Sequence, residues 1–186
     1  ESGLGVVVGI LDPNSELWGR DILGVFVVGG DDRLEDMVKS GANAFVVGVG
    51  SIGNVDSRRR LFTLGQSAGL RPLSVLHPSA FVSNYAKIGE GVVIGPNAVV
   101  HTLAAVGANA IVNSAAVVEH DCRIGAHAHI ATGAKLAGGV RVGDGAHIGA
   151  GAVIREGVEI GANALVGIGA AVIDDVAAND VVGGVP

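Results

Sequence analysis

Five of the chain's six histidines fall in one stretch, at His101, His120, His127, His129 and His147. One of them has a carboxylate on each side, in Glu119-His120-Asp121, which runs directly into the single cysteine, Cys122. An imidazole beside a carboxylate can act as a general base. The carboxylate fixes which ring nitrogen carries the proton, and the other is left to take one near neutral pH. Taken alone, the tripeptide reads first as the composition of a solvated turn. His127, His129 and His147 raise a second chemistry, metal ligation by imidazole. Gly48-Val-Gly50-Ser-Ile-Gly53 raises a third, a glycine loop near the sugar or phosphate of a nucleotide. As a full dinucleotide fingerprint it lacks the acidic residue about 20 positions on that would hold a ribose. That region reads Leu73-Ser-Val-Leu-His77, and His77-Pro78 reads as a turn.

The histidines sit on a pattern that must position them. Stepping by six from Leu76 to Val172 lands on Leu, Val or Ile at every step. Four residues further along, from Ala80 to Val176, the same step meets only Ala or Val, with Cys122 the exception. Glycine is frequent just after the large aliphatic, as at Gly89, Gly107, Gly125 and Gly143. A period of six fits neither a helix nor an alternating hairpin sheet. It fits a parallel β-helix, in which each hexad is one short strand and one turn, and identical slots stack along the axis. The large aliphatic fills the interior, and the small residue packs beside the turn. His120 and Asp121 then occupy outward turn slots, and Cys122 a small core slot, where a packing role outweighs a reactive one.

Composition agrees with thin stacked coils: 31 of 186 residues are glycine and only 3% are aromatic. The formal net charge of -6, with no Lys/Arg run longer than Arg58-Arg59-Arg60, argues against a nucleic-acid surface. One cysteine excludes an internal disulfide. No signal peptide or apolar run of about 20 residues is present, so the expected location is cytoplasmic with no membrane span. The sequence begins without Met and stops at Val185-Pro186, so both ends read as trimmed.

Residues 1–75 read differently. Strands are expected at 5–11, Val25–Val28, Ala44–Val49 and Leu73–Leu76, with helices at Asp31–Ser40 and Val55–Ala68. The second helix carries Arg58-Arg59-Arg60. Strands alternating with helices indicate a small parallel α/β unit. The expected architecture is α/β + all-β: a partial Rossmann-like domain at 1–75, then a β-helix at 76–186.

The hexads resemble the hexapeptide-repeat family, whose coils are left-handed triangular prisms of three hexads, or about 18 residues. With the α/β unit in front, the whole chain resembles the sugar acetyltransferases that include UDP-4-amino-sugar N-acetyltransferases and sialic acid O-acetyltransferases. The resemblance runs through Gly9-Ile-Leu-Asp12, Gly29-Gly-Asp-Asp32, Val118-Glu-His-Asp-Cys122 and Gly183-Gly-Val-Pro186. It departs at the front, where the family has a further strand and a Gly-Gly-His-Gly type loop, and at Pro13, where relatives often carry a second Asp.

The resemblance implies an acetyl-CoA-dependent transferase and a homotrimer with sites between neighbouring coils. The acceptor would be an amino group on a nucleotide-sugar; a hydroxyl of a sialic-acid-like sugar is the close alternative. It makes His120 the base and Asp121 its modulator. One coil on, at spacing 18, Gly138 would offer its N–H to the thioester oxygen. His129 would contact acetyl-CoA from another face. Thr132, Ala150 and Ile168 form a further column, of which Ala150 and Ile168 would line the groove for the pantetheine arm. Asp12 and Gly50 would meet the nucleotide-sugar. No metal is expected, since the histidine spacing differs from that of the γ-class carbonic anhydrases, which share the coil; His127 is expected to lie exposed at a turn. A non-catalytic assembly coil is the reading of another class, but such a coil has no reason to interrupt glycine-rich turns with Glu-His-Asp.

Overall fold

The computed structural model describes residues 5–185, so Pro186 of the Gly183–Pro186 motif lies outside the described residues. From Val75 onward each hexad forms a two-residue strand and a turn. The strands stack into three parallel sheets of six, five and seven strands. Val99 pairs with Val117, Ala105 with Arg123 and Ile111 with His129, so the register is 18 residues on all three sides. This is a left-handed parallel β-helix.

The two slots read from the sequence are the core. Val100, Val112, Val118, Ile130, Leu136 and Ile154 are fully buried, and so are the small residues Ala98, Ala116, Cys122, Ala134 and Ala152. Each outward strand residue donates its N–H to a carbonyl of the next coil, as Val99 does to Ala116 and Val153 to Ala170. The coils lie about 4.8 Å apart, one inter-strand spacing. At that spacing a side chain after the large aliphatic would meet backbone: a Cβ on Gly107 would come within 2.6 Å of the Ala126 nitrogen. That contact, not a special φ, is why glycine recurs there.

The period slips once, at the end. Ile160 bridges to Val176 and Leu165 pairs with Val181, a register of 16 residues. Val176 therefore takes a large interior slot and not the small slot that the step of six assigns it. The tighter turn is completed by Asp175, whose carboxylate accepts from Glu159 N–H at 2.8 Å where a backbone carbonyl served in earlier coils.

The front is α/β, with shorter strands than expected. β1 (Ile10–Leu11) pairs in parallel with β3 (Val25–Gly29). β3 also pairs antiparallel with β2 (Asp21–Ile22), a hairpin absent from the sequence reading. Its two turn residues, Leu23 and Gly24, both have positive φ, and leucine at such a position carries no turn signal. The first expected helix is a 3-10 turn at Asp31–Arg33 followed by α1 (Leu34–Lys39). β4 is only Ala44–Phe45, pairing with β5 (Arg71–Pro72), and α2 spans Asp56–Ser67. β4 stops early because the carbonyls of Val47 and Val49 accept from Arg58 of α2, at 2.9 and 2.7 Å, in place of a strand. No helix among the described residues is long and apolar enough to cross a membrane.

Leucine at a small slot tests this packing. Ala116→Leu is expected to lower the unfolding free energy by about 1–3 kcal/mol through overpacking. A urea titration would show it as a reduced midpoint with an unchanged slope; an unmoved midpoint would mean the slot has room.

Candidate functional site

Val118 ends a strand, and the following turn carries His120 and Asp121 outward. Asp121 holds φ +61°, a left-handed turn position that Asp tolerates. The turn is held by Asp121 N–H, which donates to Thr102 one coil below, and by Gly139 N–H, which donates to the His120 carbonyl from one coil above. This places His120 Nδ1 2.9 Å from Asp121 Oδ2, with both side chains more than half exposed. A carboxylate can only accept, so the neutral ring donates from Nδ1 and leaves the Nε2 lone pair open. Gly138 lies directly against that ring: a Cβ there would sit 2.7 Å from Nε2 and 2.6 Å from Cε1. Gly138 therefore does stack on His120 as the 18-residue spacing anticipated, with Thr102 one coil below, but Gly138 is required first to make room for the imidazole. Its own N–H donates to no backbone carbonyl among the described residues. His101 stands beside the pair, its ring centroid 6.5 Å from that of His120.

Thr132, Ala150 and Ile168 stack at another corner, joined by Gly151 N–H to Thr132 O and Gly169 N–H to Ala150 O. Thr132 and Ile168 are exposed there and Ala150 half-exposed, an open ridge of the kind a flexible arm can lie along.

The coil's other three histidines, His127, His129 and His147, face the front of the chain. His129 and His147 lie one coil apart on an outward face, rings T-shaped at 4.9 Å. Both are buried, at 8% exposure, under the glycine-rich loop. His129 Nδ1 donates to the Ser51 carbonyl at 2.8 Å, and its Nε2 lies 3.4 Å from Asn113 Nδ2. His129 is thus no open contact residue: Ser51 takes Nδ1, and Nε2 faces the long Asn113 contact, the one edge a ligand would have to compete for. His147 Nδ1 is buried without a hydrogen-bond partner among the described residues. Burial pushes His129 below the ordinary imidazole value, with a smaller push from Arg58, while the Ser51 carbonyl acts the other way. Burial also lowers His147, next the neighbouring His129, again with Ser51 opposing. His127, expected to be exposed, is half-buried: its ring packs edge-on to Phe62 of α2 and its Nδ1 lies 2.9 Å from Asn109 Nδ2. Burial, then Arg59, depresses it as well.

Arg58 holds the two parts together, which sequence reasoning missed because nothing in Arg58-Arg59-Arg60 sets one arginine apart from the next. It is 1% exposed and donates to Val47, Val49 and, across the junction, the Asn109 carbonyl at 2.9 Å. Burial pushes its pKa down to about 10, so it stays charged. Gly50 is exposed on the loop that Arg58 shapes, with nothing within 4 Å of where a Cβ would be. The glycines do not open a helix as a dinucleotide fingerprint does, since α2 begins only at Asp56. Asp12 is half-buried and self-engaged: Oδ1 accepts from Asn14 N–H at 2.8 Å and its carbonyl from Trp18 Nε1 at 2.8 Å. Asp12 is therefore a turn former whose second oxygen alone is open to a ligand. No group of three or more His, Cys, Asp or Glu among the described residues is arranged to hold a metal. The Cys122 thiol is buried, donates to the Ala137 carbonyl at 3.2 Å, and is pushed up to about 11 by burial, as a packing residue would be.

Known proteins share this fold. Residues 115–156 and 139–173 match the hexapeptide repeat of succinyl-transferase. A variant of perosamine N-acetyltransferase from Caulobacter crescentus, in complex with CoA and GDP-perosamine, is 35% identical with a TM-score of 0.89. The match covers 95% of this chain and 81% of that one. The acetyltransferase domain of PglB from Neisseria gonorrhoeae FA1090, in complex with acetyl coenzyme A, is 32% identical over 95% of this chain and 82% of its own, with a TM-score of 0.87. WeeI from Acinetobacter baumannii AYE is 30% identical over 95% and 82%, with a TM-score of 0.82. No curated sequence matches the chain.

The buried histidines give a pH prediction. A group whose pKa is depressed on folding contributes stability above its unfolded value and loses it as pH falls toward the folded one. Melting temperature should therefore decline as pH drops below 6.5, before the carboxylates titrate near 4. His147→Leu should blunt that decline. Equal acid sensitivity in the variant would place its origin elsewhere.

Proposed function

Because the chain belongs to the hexapeptide-repeat sugar acetyltransferases, we propose that it moves an acetyl group from acetyl-CoA to an amino group of a nucleotide-activated sugar, with His120 as general base. The observation that carries this reading is the His120–Asp121 pair, tautomer set, with an open Nε2 against Gly138. An uncharged sugar amine attacks the thioester carbonyl carbon, forming the C–N bond. Nε2 takes the surplus proton as that bond forms. Collapse breaks the C–S bond, and the imidazolium returns its proton to the departing thiolate, leaving amide and CoA thiol. Gly138 N–H is the donor for the oxygen that gains charge, since it has no backbone acceptor of its own. The N-acetyltransferase among the similar structures favours an amine over a hydroxyl.

Acetyl-CoA would run along the corner of Ala150 and Ile168, with the Nε2 edge of His129 as a further contact. Residues 1–75 would form the acceptor-holding domain, through Gly50 and Asp12, and residues 76–186 the acetyl-CoA domain. A homotrimer brings these parts together, because His120 and His129 lie on different sides of one coil. One outward face supports it: Phe81, Val99, Val117, Val153 and Ala171 form an apolar ladder broken only by Lys135, and Phe81 and Val153 are about half exposed. Such a stripe wants a partner. A cytoplasmic location fits both substrates.

His120→Ala should lower kcat by roughly 10²–10⁴ with little change in acetyl-CoA affinity, as expected for a group that works in the transition state. Asp121→Asn should lose less, since it disturbs the tautomer and leaves the ring. Full turnover in His120→Ala with His129→Ala inactive would reassign the base. In solution, light scattering should give three times 18.4 kDa, and Val117→Glu should shift the mass to the monomer; a monomeric parent protein would remove the shared-site arrangement.

A further inference from the structure

The glycine-rich loop is tied down unevenly. Arg58 fixes its near end through the carbonyls of Val47 and Val49. Asn54 fixes its far end, where Oδ1 accepts from Asp56 N–H at 2.7 Å as α2 begins. Between these pins Gly50–Gly53 stands clear of the coil. Gly50 has nothing within 4 Å of where a Cβ would be, and Ile52 is 81% exposed. Ser51 alone turns inward, to 7% exposure, and its carbonyl accepts from His129 Nδ1 at 2.8 Å. His147 stands beside the same carbonyl, its ring 4.9 Å from that of His129, and its Nδ1 is buried without a partner among the described residues. A glycine at each end, Gly53 at φ +68°, allows the four residues to pivot.

We propose that Gly50–Gly53 is a flap that closes on the nucleotide-sugar, latched by neutral His129 and His147 and released when either ring takes a proton. This rests on the reading that Gly50 meets the acceptor. Asn113 Oδ1 is occupied by Ser114 N–H at 2.7 Å, so its Nδ2 faces His129 Nε2 at 3.4 Å. Nε2 therefore holds a lone pair, and a proton there would meet another donor. A proton added to His147 would leave a buried charge with no acceptor of its own. From α2 the facing charge is Arg58, which repels, and from the coil each imidazole faces the other. Residues 48–54 carry no ionisable side chain, and Arg59 and Asp144 bear on His127 at the next corner. No carboxylate offsets a charge on either ring. Lifting the flap would admit water to both, which is the relief that a charged imidazole lacks in the closed form. Closure is thus fully stable above the ordinary imidazole value of 6.5 and is lost as pH falls toward the lower closed values.

Calorimetry on the full chain tests this with UDP- and GDP-linked 4-acetamido sugars, which carry no titratable amine. Binding is compared at about pH 7.5 and about pH 5.5, at a temperature where the coil stays folded. Each imidazole should raise Kd roughly tenfold over that interval, so about a hundredfold in the native chain and about tenfold in His147→Phe. The phenylalanine keeps a ring in place and removes its proton site. A packing role for His147 would instead weaken binding alike at both pH values. A nitroxide on Ile52→Cys reads the flap without ligand, because Cys122 is buried, its thiol pushed up to about 11, and stays unlabelled. Its spectrum should sharpen on acidification, and less so with His147→Phe. Affinity that ignores pH, or falls equally in both proteins, would overturn the flap, as would a label equally mobile at both pH values. Absence of binding at either pH would do the same, since the flap would then close on no acceptor. If binding and mobility both follow pH while no acetyl group is transferred, the flap stands and the transfer reaction falls.

Discussion

Everything in this molecule hangs on the hydrogen-bond ladder that stacks one 18-residue coil on the next. Each two-residue strand is too short to be stable alone and exists only because the coils above and below supply its partners. The ladder imposes a fixed spacing, and that spacing dictates composition: branched aliphatics to fill the prism, alanine beside the turns, and glycine wherever a Cβ would strike the neighbouring backbone. It also makes the turn positions into columns. A residue placed at one corner has its neighbours chosen for it, 18 positions away in either direction. His120 above Thr102 and below Gly138 is the result.

The rigid scaffold leaves few degrees of freedom at the site. Asp121 sits at a left-handed turn position, its backbone pinned to Thr102, so its carboxylate reaches His120 Nδ1. The reactive nitrogen is thereby pointed by the fold and not by a mobile loop. A second set of contacts joins the α/β part to the coil. Arg58 reaches across to Asn109, and Ser51 caps His129, so the glycine-rich loop is clamped against the coil by one buried cation and one neutral imidazole. A buried cation with three carbonyl acceptors tolerates little substitution, since removing it leaves those carbonyls unpaired. The junction trades apolar packing for directional bonds, which fixes the loop's position.

The irregularities are informative too. The last coil is shortened by two residues, and an aspartate side chain takes over for backbone. β4 ends after two residues because a side chain outcompetes a strand for its carbonyls. In both places a local polar group overrides the pattern that surrounds it, and neither event changes the hydrophobic signal from which strands are read. The Leu23-Gly24 hairpin was hidden for the same reason: its conformation is imposed by the pairing of Asp21–Ile22 with β3, not by turn-forming residues.

By itself the sequence determined the coil, because a repeat of six is a one-dimensional signal and each slot has a single steric tolerance. It determined the pairing of His120 with Asp121, which are neighbours in the chain, and the bland role of Cys122 in a small core slot. Stacking by 18 carried Gly138 into place, since in a solenoid spatial neighbours follow from arithmetic. What only the tertiary structure decided lies where that arithmetic stops. His127 was expected to lie exposed at a turn and His129 to stand open to acetyl-CoA until the front of the chain was seen to cover them. Arg58 was one of three consecutive arginines until burial and three carbonyls distinguished it. These assignments depend on contacts between residues 51 and 78 positions apart, such as Arg58 with Asn109 and Ser51 with His129. No period links those positions, so packing alone sets them.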